Sequence, residues 1–236
     1  MNIIKNNSYD IILFVIASRS NIYDKLIEIY WKPFINYLKK KKYKIKVYLI
    51  FGNNIQIDDL ELSNEDIIIN NTLENLIPGV LKKTLESFRY IEENYEYKHI
   101  LRTNLSSFFI VDNLIKVSKN LSNENVYAAF IGNYKNMLFG SGSGFWLSRD
   151  NILFILNNEN KLDFSLIDDV SIGYLMKEKK KTKLNRYGLV NNINYYNKKK
   201  LLNYIITNNG YHIRIKNSNR LIDLEYFKEF TEILYK

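Results

Sequence analysis

Strand and helix periodicities alternate along most of the chain. The run IILFVIAS (11–18) is short and almost uninterruptedly apolar, the mark of a strand buried on both faces. After it, Ile22, Leu26, Ile29, Phe34, Tyr37 and Leu38 approximate a helical stripe behind Ser20, a residue type that caps helix N-termini, and Pro33 is expected to break or kink that helix. KIKVYLIFG (44–52) alternates as a strand until Gly52 and two asparagines end it, and EDIIIN (65–70) reads as another. From Leu73 to Asn94, the positions Leu76, Val80, Leu81, Leu85, Phe88 and Ile91 recur at helical spacing and predict a long helix. YKHILRTN then predicts a strand with a polar end, VDNLIKVSKN a helix, and NVYAAFIG and SGFWLS two further strands. This alternation argues for an α/β fold, a mainly parallel sheet flanked by helices, with ligands expected at the loops that follow strand ends. The polar stretch 182–209 is expected to be loops packed on the sheet, and with no linker or internal repeat a single domain over 1–236 is expected.

Composition narrows the chemistry. With 236 residues, 46% of them hydrophobic, the chain has apolar material for one sizeable core. The absence of cysteine excludes a disulfide framework, a thiolate nucleophile and a sulfur-based zinc site, and it fits a reducing compartment, so a cytoplasmic address is expected. The first apolar run is far shorter than the ~20 residues of a membrane-spanning helix, so neither a transmembrane nor a targeting segment is expected. A net charge of +9 attracts phosphate groups without saying which. Two histidines argue against a multi-histidine metal site.

Four segments carry candidate chemistry. GSGSGFWLSRD (140–150) sets Gly140, Gly142 and Gly144 alternately with serine, where glycine permits positive φ and the close approach of another molecule, and Ser148 is placed to cap a helix starting near Asp150. A tight strand entry or bulge explains the same residues. LIDDVSIGYLMKE (166–178) opens a helix with Asp168 and Asp169, which ordinary dipole stabilisation explains unless one carboxylate points into a cleft as a base. In YHIRIKNSNR (211–220) a strand puts His212, Arg214 and Lys216 on one face, as a phosphate cradle or as the wet face of an edge strand. HILRTNLSSFF (99–109) ends a buried strand in Arg102, Thr103, Asn104, Ser106 and Ser107, where an α/β sheet places ligand groups and where plain turns also occur.

In order and spacing these segments resemble the GT-A fold glycosyltransferases, most closely the Fringe and β-1,3-galactosyltransferase group, over most of the chain. The stretch from DIIINN to ILRTN is similar to that group's long helix and the strand leading to its Asp-x-Asp motif, GSGSGFWLS to its glycine loop, DDVSIGYL to its acidic motif and YHIRIK to its C-terminal histidine segment. The resemblance implies a nucleotide-binding half over about 1–110 and an acceptor half over about 111–236. It implies an inverting transfer of a sugar from a nucleoside-diphosphate donor, UDP-linked, to an acceptor hydroxyl on a glycan or other molecule. Asp169 would be the base and Asp168 its orienting neighbour. Donor contacts would come from Ser18, Arg19, Lys83, Arg102, Asn104, Ser106, Gly142, Ser143, Gly144, His212, Arg214 and Lys216.

One departure alters what the resemblance implies. Where the family has Asp-x-Asp, this chain has Asn104, Leu105 and Ser106, which are poor ligands for a hard divalent cation and put the family's Mn²⁺ or Mg²⁺ in question. A metal-free arrangement has physical sense: Arg102, His212, Arg214 and Lys216 hold the diphosphate, while Asn104 and Ser106 bond ribose or sugar hydroxyls. The same departure leaves open an inactive sugar-nucleotide-binding protein. An alternative from another class is a basic nucleic-acid-binding module, offering +9 of charge, 19 tyrosines and 13 phenylalanines. Most of those rings fall in apolar periodic segments, where core packing is the expected role.

Overall fold

The structure, a computed structural model, describes residues 8–190 and 197–236. Strand β1 (Ser8–Ile16) leads to Ser20, whose hydroxyl accepts the Tyr23 N–H and caps α1 (Asn21–Leu26). A π-helical turn, Ile27–Trp31, carries the helix on into α2 (Lys32–Lys40). Pro33 does not break it; the residue lacks an N–H for the preceding turn, and the helix widens there into the looser π spacing. Strands β2 (Ile45–Gly52) and β3 (Ile67–Asn70) follow. Helix α3 (Gly79–Asn94) begins later than the apolar spacing predicts, because Pro78 disfavours helical backbone in the residue before it and 73–78 form a loop. Leu76 is accordingly exposed and not part of the buried stripe.

Next come β4 (Glu96–Asn104), β5 (Ser107–Phe109), α4 (Val111–Asn120), β6 (Tyr127–Tyr134), β7 (Met137–Ser148), α5 (Arg149–Asn157) and α6 (Asp168–Leu175). Ser148 precedes α5, but its hydroxyl bonds the Val126 N–H and Asp150 instead of capping. The chain closes with β8 (Thr182–Lys183), β9 (Tyr187–Val190), α7 (Lys198–Thr207), β10 (His212–Lys216) and α8 (Arg220–Leu234). The expectation of loops over 182–209 is thus corrected by β8, β9 and α7, while 191–196 lie outside the described residues. Among the described residues no helix is long and apolar enough to cross a membrane.

Seven strands form one sheet in the order β3-β2-β1-β4-β7-β6-β8, and β5-β10-β9 form a second. The pairs of β1 with β2 and β4, and of β2 with β3, are parallel; β7 runs antiparallel between β4 and β6. Period-two alternation sends Ile11, Leu13 and Val15 of β1 into one apolar cluster and Ile12 and Phe14 into another on the opposite face. Both faces are therefore dry, which is why these strands read as continuous apolar runs. Phe14, Tyr30, Phe34, Phe88, Phe108, Phe227 and Phe230 are fully buried, so they offer no stacking platform for bases. Chain order reverses at β1, between β2 and β4, and a crevice is expected beyond the C-terminal ends of β1 and β4.

The loop at the end of β4 is fixed from below. Trp31 donates its indole N–H to the Leu105 carbonyl at 3.2 Å. Tyr30, stacked on Phe108 with ring centroids 4.5 Å apart, accepts the Phe109 N–H at 2.9 Å, and Tyr235 donates to the Phe109 carbonyl. Two buried hydroxyls thus satisfy both main-chain groups of Phe109. Tyr30→Phe keeps the ring and strands that N–H, and urea unfolding should show a loss of about 1–3 kcal/mol.

Candidate functional site

A cavity of about 660 Å³ opens at the switch point. The ends of β1 and β4 supply Ser18, Arg102, Asn104 and Ser106; β7 supplies Ser141, Gly142 and Ser143; the start of α6 supplies Asp168 and Asp169. Arg186, just before β9, and Arg214 and Lys216 of β10 form another wall.

A bulge in β7 brings these groups together. From Ala129 to Ile131, β6 advances two residues while β7 advances five, from Phe145 to Gly140, and pairing of β7 with β4 stops at Gly144. Main-chain groups released from the ladder still need partners, and side chains provide them. The Gly142 N–H goes to Asp169 Oδ2 at 2.6 Å, and the Gly142 carbonyl accepts from Arg102 and, at 2.9 Å, from Asn104 Nδ2. The Ser143 carbonyl accepts from Thr103 at 2.6 Å and Ser107 at 2.8 Å. No glycine takes a positive φ, so the expected conformational role gives way to one of space. A Cβ on Gly142 would stand 2.8 Å from Asp169 Oδ2 and 2.9 Å from Arg102 Nη1, and one on Gly144 would stand 3.0 Å from the His212 ring.

The adjacent carboxylates differ sharply. Asp168 is closed off by Arg102, which donates Nε to Oδ2 at 2.8 Å and Nη2 to Oδ1 at 2.7 Å, and by the Thr84 hydroxyl at 2.9 Å. Asp169 receives main-chain donors alone, Gly142 N–H and, at 2.9 Å, Val170 N–H. Burial first, then the neighbouring Asp168, raises the Asp169 pKa above the usual aspartate range, against the pull of Arg102 and these N–H groups.

The opposite wall is cationic. Arg214 donates to Asn104 Oδ1, and Arg186 to the Ser141 hydroxyl at 3.2 Å and to Ser143, with its guanidinium 4.2 Å from the Phe130 ring centroid. Among the described residues Arg186, Arg214 and Lys216 make no salt bridge, whereas Arg220 nearby is paired with Asp223 at 2.9 Å. Burial and then Arg186 bring the Arg214 pKa down to about 10. Burial also lowers Arg186, and burial followed by Arg214 lowers Lys216. Like charges held together without a carboxylate partner attract anions.

Several residues expected to contact a donor stand elsewhere. Arg19 is bonded to Asp24 and Asp59, each at 2.8 Å, away from the cavity lining. Lys83 lies behind the wall, its amine donating to the Ala17 carbonyl at 2.9 Å and Glu74 at 2.6 Å; burial lowers its pKa and Glu74 opposes the shift. Gly144 sits over His212, which is 1% exposed and stacked on Phe109 at 4.9 Å. Burial, then Arg186 and Arg214, press the His212 pKa well down, so the ring is neutral and adds no cation. Arg102 lines the cavity but is already committed to Asp168 and Gly142. Arg186 carries no signal in the local sequence pattern, because it falls in a polar stretch without periodicity. Arginine's rarity is the signal that finds it: the chain has seven, and Arg102, Arg186 and Arg214 line this cavity.

The position that would carry Asp-x-Asp does not suit a hard divalent cation. Asn104 Oδ1 already accepts from Arg214 and the Ser106 N–H, and the Ser106 hydroxyl accepts from Arg220. Among the described residues no three His, Asp or Glu side chains gather as a metal-holding group.

Gly142→Ala should therefore destabilise the protein by about 1–3 kcal/mol in denaturant melts, since an ion-paired guanidinium and a hydrogen-bonded carboxylate must shift. Gly188→Ala, whose Cβ meets nothing within 4 Å, should be neutral within about 0.5 kcal/mol.

No protein-family model and no curated protein sequence matches the chain. Solved structures do. A glycosyltransferase involved in glycosylation of the major capsid of PBCV-1 superposes with a TM-score of 0.53 at 9% identity, covering 94% of this chain and 99% of that one. The galactosyltransferase LgtC, solved with donor and acceptor sugar analogues, gives 0.52 at 11% identity with 96% of each chain covered. The apo-form glycosyltransferase GlyE of Streptococcus pneumoniae TIGR4 gives 0.51 at 14% identity, covering 97% of this chain and 65% of that one. The architecture, a mostly parallel seven-stranded sheet flanked by helices, is that of the GT-A glycosyltransferases.

Proposed function

We propose that the protein transfers a sugar from a nucleoside-diphosphate donor, UDP-linked, to an acceptor hydroxyl with inversion and without a bound divalent ion. The observation that carries this reading is the charge arrangement of the cavity. One carboxylate without an ion pair, Asp169, shares it with three cations that have no acidic partner among the described residues. Fold likeness to glycosyltransferases agrees with it.

In this mechanism Asp169 takes the acceptor proton as the acceptor oxygen bonds to the anomeric carbon. The bond from that carbon to the diphosphate breaks, its electron pair leaves on the diphosphate oxygen, and Asp169 later releases the proton to solvent. Arg214, Arg186 and Lys216 meet the charge that develops on the leaving group, the role for which preorganised cations are most effective. Ser18, Asn104 and Ser106 face the nucleoside and sugar hydroxyls, and Ser143 aims Arg186. Asp168 is a positioning residue that fixes Arg102, and Arg102 in turn fixes the Gly142 carbonyl. The raised pKa of Asp169 suits a base, since a proton acceptor works best with a pKa near the working pH.

Transfer from UDP-sugars, followed by NMR of the product anomer, tests the proposal. Asp169 must be ionised to act, so activity should fall as pH drops through its raised pKa, on an acid limb above the ordinary aspartate value of about 4. Asp169→Asn should bind UDP as before, lose about 10²–10⁴-fold in turnover and lose that limb. Normal turnover by this variant, or a product that retains the donor's anomeric configuration, would refute the role given to Asp169.

A further inference from the structure

The loop entering α3 has its polarity reversed. Thr72 is buried and Glu74 half-buried, and their side chains, with that of the exposed Asn75, hold the loop by hydrogen bonds. Thr72 donates to Glu86 at 2.9 Å, Glu74 accepts from Lys83 at 2.6 Å and from the Gly52 N–H at 2.8 Å, and Asn75 Oδ1 accepts the Gly79 N–H at 2.7 Å. Its aliphatic residues point outward: Leu73 is 60% exposed, Leu76 66% and Ile77 44%. A loop free to choose would bury the leucines and wet the glutamate, so these anchors hold apolar surface in water. The surface is continuous with the cavity. Leu76 lines it together with Val80 and Ile167, and Ile167 precedes the carboxylate pair. Thr84, one turn along α3 from Val80, bonds Asp168 at 2.9 Å, which sets this wall beside the carboxylates.

Resting on the sugar-transfer reading above, we infer that the acceptor is an amphiphile whose hydroxylated head reaches Asp169 while its hydrocarbon portion lies along Leu76, Ile77 and Leu73. The donor's anionic part belongs to the cationic wall of Arg186, Arg214 and Lys216. Beside this wall Glu74 and Asn75 also line the cavity but are engaged by Lys83 and the Gly79 N–H, while the side chains of Leu76, Val80 and Ile167 offer no hydrogen bond to a sugar chain leaving that way. An alkyl or prenyl chain gains there by removing apolar area from water, in proportion to the area covered.

The test is calorimetric binding of hexyl and methyl β-D-glucopyranosides and β-D-galactopyranosides, below micelle-forming concentration, to the UDP-saturated full chain. At least one hexyl glycoside should bind about 10-fold or more tightly than its methyl counterpart. The Leu76→Ser/Ile77→Ser double variant should abolish that preference; both residues are exposed, so the change removes no core packing. Equal binding of hexyl and methyl compounds by the wild type, or an alkyl preference that survives in the double variant, would overturn the inference. So would a shift from dimer to monomer in sedimentation of the double variant, which would make the loop a contact between two copies of the chain. UDP binding is read in the same titrations: UDP bound without alkyl preference defeats the acceptor inference alone, whereas no UDP bound defeats the sugar-transfer reading beneath it.

Discussion

At Gly142 one residue gives its N–H to Asp169 and its carbonyl to Arg102 and Asn104, leaving no volume for a side chain between the two charged groups. The bulge in β7 makes this contact available, because a residue still paired in the ladder would have no main-chain groups to offer. Once the strand is pressed against α6 and the end of β4, the remaining charges have few places to stand. Arg102 and Asp168 meet in a bidentate pair under the bulge, both nearly inaccessible to water. Such a pair is weak evidence of stability, but breaking it would strand a buried charge at a cost of about 3–5 kcal/mol. Its effect on the site is selective: it neutralises one carboxylate of the pair and leaves the other with main-chain donors only.

The same geometry separates charge across the cavity. Arg186, Arg214 and Lys216 are all partly desolvated, Arg186 further depresses Arg214 and Arg214 depresses Lys216, a strain that a bound anion would relieve. Perturbed groups of this kind concentrate where binding or catalysis requires them. Asn104 connects the two sides, its amide nitrogen on the Gly142 carbonyl and its oxygen on Arg214. An aspartate there would pair with Arg214 and draw its charge away from any ligand. The amide orients the guanidinium and leaves its charge available. The neutral side chains at Asn104 and Ser106 and the presence of the arginine wall are thus two aspects of one electrostatic arrangement.

The sheet was legible because its strands are dry on both faces, and continuous apolar runs such as IILFVIAS record that directly. The start of α3 is not legible in the same way: Leu73 and Leu76 match helical spacing yet stand exposed in the loop before Gly79. Asp168, Asp169, Asn104, Arg214 and Lys216 could be placed at strand and helix ends from sequence, and all of them line the cavity. The glycine loop is legible as a place of close approach, but the groups that approach are the chain's own Asp169, Arg102 and His212, distant in sequence, and φ stays ordinary. His212 and Lys83 stand behind the wall, and burial is invisible in a polar residue's identity. Arg186 arrives from a segment without periodicity, where only three-dimensional placement gives it meaning.

The most direct measurement is a calorimetric titration of UDP into the protein in EDTA and again in Mn²⁺, on the wild type and on Arg214→Ala. If cations of the chain hold the diphosphate, the wild type binds UDP in EDTA with the Kd it shows in Mn²⁺, and Arg214→Ala weakens binding at least about tenfold, ~1.4 kcal/mol, under both conditions. Binding that appears only when Mn²⁺ is added, or that is indifferent to Arg214, would contradict the account.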